Sequence, residues 1–144
     1  KVADRVRDVL NVRFLDIIDV TAQSLRDEGI RKAGLVGTRF TMKDGFYQQH
    51  LNRFQIECIT PDEGDMEIIH DVIYNELCKG LFAPASRAKF AKIYRKLADK
   101  GAEGIILGCT EIGLLIQQSD RPDVPFFDTV RVHAEAAVDW ALQE

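Results

Sequence analysis

Hydrophobic positions along this chain fall into two rhythms, compact apolar runs and stretches with apolar residues three and four apart, and the two alternate from end to end. Val2, Val6, Val9 and Leu10 fit the end of a helix, and Arg13 to Val20 reads as a strand. Thr21 can cap the next helix, which runs to about Glu28 and stops at Gly29. Ala33 to Gly37 is a second strand, about Met42 to Asn52 a helix, and Gln55 to Ile59 a third strand. Ile68, Ile69, Val72, Ile73 and Leu77 mark one face of a helix ending near Gly80, and Ser86 is placed to cap a helix that reaches Lys100. Gly104 to Gly108 forms the next strand. After a short helical segment and a loop from Ser119 to Asp123, Val124 to Phe127 gives a last strand and Val130 to Leu142 a closing helix. Such alternation predicts an α/β fold, a parallel sheet covered by helices on both faces.

The run Gly104-Ile105-Ile106-Leu107-Gly108-Cys109-Thr110-Glu111 carries the sharpest chemical signal. Its apolar residues suit a strand buried on both faces, and the polar ones follow at the carboxyl end, where open α/β sheets keep their ligand crevices. Cys109 is then either a thiol whose pKa is lowered by the amide dipoles of a following helix or a buried structural cysteine. Cys58 and Cys78 read as packing residues. A similar strand end, Gly34-Leu35-Val36-Gly37-Thr38, precedes Arg39 and Thr41, so that two such ends facing one crevice would make a small polar pocket. The hydroxyls of Thr38 and Thr41 could hold a substrate carboxylate or simply cap the next helix. Lys79, just before Gly80, suits a helix end on dipole grounds and could equally neutralise an anionic side chain. Arg39, Glu111 and His133 are further candidates; His133 opens the last helix and could look toward the crevice, while His70 falls on the surface or boundary of an amphipathic helix.

Composition narrows the classes. A net charge of −4 gives no basic bias toward nucleic acid, and 46% hydrophobic with 29% charged residues describes a globular chain rather than a disordered one. No apolar run is long enough for a membrane span, and the start lacks a secretory apolar core, so a cytoplasmic location is expected. Three cysteines at wide spacing, with no Cys-x-x-Cys pair and no paired histidines, disfavour a metal site or a disulfide framework. The first residues look like mid-helix and carry no initiator Met, from which Lys1 is not expected to be the natural start. Helices near Tyr47 and Trp140 could supply a homodimer surface.

Three elements together resemble the aspartate/glutamate racemase family: Gly34-Leu35-Val36-Gly37-Thr38-Arg39-Phe40-Thr41-Met42, Gly108-Cys109-Thr110-Glu111-Ile112, and Phe127-Asp128-Thr129 followed by His133-Ala134. The likeness runs from Lys1 almost to Glu144. It implies two pseudo-symmetric α/β lobes of the racemase type, each offering one catalytic residue to opposite sides of the substrate Cα. Residues 22–116 would be a complete second lobe, and residues 1–21 and 117–144 a remnant of the first, whose catalytic residue would precede Lys1. The chain would thus be the carboxyl-terminal portion of a longer racemase.

The resemblance also implies roles. Cys109 becomes the second-lobe acid/base, Thr110 offers its hydroxyl and amide to the substrate, Thr38 and Thr41 bind it, and Lys79 is a substrate-binding lysine. The implied reaction is a two-base 1,1-proton transfer on aspartate or glutamate, needing no cofactor and no metal, in which these 144 residues alone would be inactive. Hydantoin racemases, maleate isomerases and arylmalonate decarboxylases share an activated cysteine, but Gly-Cys-Thr-Glu and Lys79 favour an acidic amino acid. A ligand-binding module without turnover and a redox sensor built on Cys109 are the readings from other classes.

Overall fold

A computed structural model describes residues 2–120 and 124–143. Part of the loop expected at Ser119 to Asp123 therefore lies outside the described residues. The strands β1 (Lys32–Val36), β2 (Glu57–Ile59), β3 (Gly104–Leu107) and β4 (Phe126–Asp128) form one parallel sheet in the order β2-β1-β3-β4. The helices are α1 (Ala3–Val9), α2 (Ile17–Asp27), α3 (Arg39–Lys43), α4 (Phe46–Arg53), α5 (Glu63–Asn75), α6 (Pro84–Asp99), α7 (Ile112–Leu115) and α8 (Thr129–Leu142). The expected α/β class is what the chain adopts. Among the described residues no helix is long and apolar enough to cross a membrane.

Strand alternation divides the core. Val36, Ile105 and Leu107 face a layer built from Ile69, Ile73, Phe90, Tyr94 and Leu97 of α5 and α6. Leu35, Ile106 and Phe127 face the other way, onto Ala22 and Leu25 of α2 and Tyr47 and Leu51 of α4. Both sheet faces are thus dry, which is why the strands read as continuous apolar runs. Tyr47 is 5% exposed and belongs to that core.

Several boundaries differ from expectation. Arg13 to Val20 is not a strand, because Asp16 accepts the Ile18 and Asp19 N–H groups at 2.8 and 3.2 Å and starts α2 at Ile17. Ile18, Thr21, Ala22 and Leu25 then fall on one buried helical face. Thr21, expected as the cap, is interior, and its hydroxyl donates to the Ile17 carbonyl. The helix expected over Met42 to Asn52 is two helices, broken at Gly45, which takes φ +77°. Ser86 does not cap α6; Pro84 begins it, and the buried Ser86 hydroxyl donates to Glu76 at 2.6 Å. The expected boundary at residues 21/22 falls inside α2, and β4, from the 117–144 segment, pairs directly with β3.

Replacing Asp16 with Ala should lower the unfolding free energy by about 0.5–2 kcal/mol through loss of the helix cap. In urea the midpoint should fall with the slope unchanged. An unchanged midpoint would mean that α2 does not start at this carboxylate.

Candidate active site

From β1 the chain moves outward to β2, then returns past β1 to add β3 on its other side. The strand order therefore reverses between β1 and β3, and a crevice is expected at their carboxyl ends. The two ends approach closely. The Gly108 N–H donates to the Val36 carbonyl at 2.7 Å, and a Cβ on Gly108 would stand 3.1 Å from that oxygen and 3.3 Å from Thr41 Cγ2. A Cβ on Gly37 would meet Thr41 Cβ at 3.2 Å and the Gly108 carbonyl carbon at 3.4 Å. Glycine in both positions lets the strand ends and Thr41 share one patch of space.

Thr38 caps α3, accepting the Thr41 N–H at 3.3 Å, and the two hydroxyl oxygens lie 3.0 Å apart. On the β3 side, the Cys109 thiol donates to Glu111 Oε2 at 3.0 Å, and the Thr110 hydroxyl donates to the same oxygen at 2.7 Å. One carboxylate oxygen thus gathers both neighbours. These bonds, that from Cys109 foremost, hold the Glu111 carboxyl below its usual range.

The thiol is not activated in the way expected. Burial first, and the Glu111 carboxylate second, push Cys109 up to about 12, outweighing the downward pull of the Glu111 N–H. The helical segment expected to lower it starts only at Ile112 and is four residues long, too short to carry much dipole. Cys109 therefore rests protonated at neutral pH. Cys58, packed against the other core layer, is pushed by burial to about 12 as well.

The remaining candidates divide. Lys79 ends the turn Leu77–Lys79 and is exposed beside Gly80, which adopts φ +72°. Arg39 is exposed, but its guanidinium pairs with Glu63 rather than with the Cys109 group. His133 is held by the backbone before α2. Its Nε2 donates to the Leu15 carbonyl at 3.0 Å, tying α8 to the segment before α2. One residue missed in the sequence is His70, whose Nδ1 accepts the Arg39 N–H at 3.3 Å, a contact spanning 31 residues that no local pattern announces.

Thr38 and Cys109 are half-buried and Thr110 is exposed, so the strand ends form a shelf facing solvent. A cavity of about 420 Å³ lies elsewhere, lined by Arg13, Asp16 and Trp140, where the Arg13 guanidinium stands 5.4 Å over the Trp140 ring. Among the described residues no three His, Cys, Asp or Glu side chains gather as a metal-ligating group.

Comparison with known proteins adds four findings. A family model for Asp/Glu/Hydantoin racemase matches residues 1–137. The structure of a proposed Asp/Glu racemase from Yersinia pestis superposes with a TM-score of 0.93 at 45% identity, over 98% of this chain and 61% of that one. An aspartate racemase homologue from Pyrococcus horikoshii gives 0.89 at 33% identity, over 97% of this chain and again 61% of its own. An uncharacterized protein from Pectobacterium carotovorum is 31% identical over 128 residues, covering 88% of this chain and 84% of that protein. The chain thus spans about three-fifths of the length of the two solved structures.

Glu111→Gln should lower the Cys109 pKa, since it removes a charge that opposes the thiolate, and in a Cys78→Ala background alkylation by iodoacetamide at pH 8 should then accelerate. Stability should fall with alkalinity. Between the ordinary thiol value of 9.0 and about 12 the folded state keeps protons on Cys109 and Cys58 that the unfolded chain releases, so the contribution is complete below pH 9 and lost as pH rises toward 12. Denaturant midpoints across that range check the sign. Gly108→Ala should cost about 1–3 kcal/mol by overpacking against backbone.

Proposed function

The chain belongs to the Asp/Glu/Hydantoin racemase family, and from that premise we propose that it carries one half of a racemase site for aspartate or glutamate. The observation that supports this reading is the Cys109 thiol, hydrogen-bonded to Glu111 at the end of β3, with the Thr38 and Thr41 hydroxyl pair at the end of the neighbouring strand β1.

The reaction is a 1,1-proton transfer. A base removes the α-proton, leaving a planar carbanion whose charge spreads onto the α-carboxylate, and an acid on the opposite face returns a proton to Cα. Cys109, held protonated at rest, is the acid in one direction and, as thiolate, the base in the other. In this reading its partner on the other face comes from the first lobe, of which these residues hold only a part, as does the wall that closes the shelf. The Thr38, Thr41 and Thr110 hydroxyls donate to the carboxylate as charge develops there, which lowers the barrier more in the transition state than in the ground state. Lys79 faces the side-chain carboxylate. A bound ammonium and Lys79 both favour the thiolate, so that substrate itself offsets the upward push of burial and Glu111.

A chain of these 144 residues alone holds one of the two bases and should not racemise. In the protein with its complete first lobe, solvent deuterium should enter Cα of L- and D-aspartate or glutamate. Cys109→Ala should reduce racemisation by two to four orders of magnitude, the usual worth of a general acid or base. Racemisation at the parental rate in Cys109→Ala would remove the thiol from the mechanism. Binding of these amino acids with no exchange would leave a ligand-binding module.

A further inference from the structure

The helix α3 starts at the strand end that carries Thr38, and its first N–H groups must find acceptors outside the helix. Thr38 Oγ1 takes the Thr41 N–H. The Arg39 N–H leaves the element altogether and donates to His70 Nδ1 on α5 at 3.3 Å. Acceptance there requires Nδ1 to be bare, which puts the ring proton on Nε2. The imidazole is steadied one turn on by Tyr74, with ring centroids 4.7 Å apart.

Glu63 opens the same helix and pairs with both Arg39 and Lys43, the latter at 2.5 Å. These ion pairs join exposed groups, where water and salt screen them. The His70 contact differs in kind. It is directional, it fastens backbone rather than a long side chain, and it falls on the amide directly after Thr38. A shift of that amide moves the peptide that carries Thr38, and through the Thr38–Thr41 hydroxyl pair it moves both.

We propose that His70 is a positioning residue for the candidate site: by accepting the Arg39 N–H it fixes the turn on which Thr38 and Thr41 stand. Its consequence for turnover rests on the racemase reading above, whereas the contact itself does not. His70 acts through the backbone of residue 39 and not on a substrate. Loss of the contact should weaken the hold on the substrate carboxylate and leave the proton transfers of Cys109 largely intact.

The test compares His70→Ala with His70→Asn, whose side-chain oxygen can stand where Nδ1 stood. Two readouts are taken: hydrogen exchange of the Arg39 amide, and steady-state kinetics on aspartate and glutamate in the protein with its complete first lobe. In His70→Ala, Arg39 exchange should rise and KM should increase about two- to tenfold, as for one lost net hydrogen bond, with kcat within about twofold. In His70→Asn both should return toward the parent. Unchanged Arg39 exchange in His70→Ala, or equal loss in the two variants, would overturn the proposal. Where the parent protein turns over neither amino acid, the racemase reading fails, and the exchange data alone decide whether His70 holds the turn.

Discussion

The meeting of the carboxyl ends of β1 and β3 governs everything the molecule offers to a ligand. A short Gly108 N–H to Val36 carbonyl bond closes the ladder at 2.7 Å, and beyond it two glycines and a threonine share space that any added Cβ would occupy. A side chain there would press on Thr41 and on the facing backbone. The hydroxyl pair and Cys109 stand on adjacent strand ends because the backbones that carry them can touch.

That contact is held by the core beneath it. Leu35 and Ile106 lie in register on one sheet face, and Val36, Ile105 and Leu107 on the other, each pressed by helices. Close packing on both sides gives the sheet little freedom to splay, so the crevice edges inherit the rigidity of the core. The helix α5 extends this grip outward, with its apolar face in the core and Glu63 and His70 on α3.

Electrostatics at the site oppose the simple picture of a thiol primed by a helix dipole. Burial and a carboxylate at 3.0 Å both favour the protonated form of Cys109. An acid/base used from both directions benefits from such balance, since a thiol locked as thiolate would be a poor acid. Under the proposed racemase reading, the cations on an incoming amino acid and on Lys79 are of the sign that restores the thiolate, and the charge state of Cys109 would follow occupancy of the shelf.

The sequence by itself determined the α/β class, the strands at residues 33–36 and 104–107, and the strand-end positions of Thr38 and Cys109, because apolar runs ending in glycine report burial and termination locally. It also carried the family likeness, since Gly-Cys-Thr-Glu and its companions are contiguous in the chain. It misread Arg13 to Val20, where an aspartate cap outcompeted a β-branched run. Strand order, the pairing of β1 with β3, the protonated state of Cys109 and the bond from Arg39 to His70 belong to the tertiary structure alone. Each depends on groups far apart in sequence, and their proximity, burial and charge exist only once the helices have closed over both faces of the sheet.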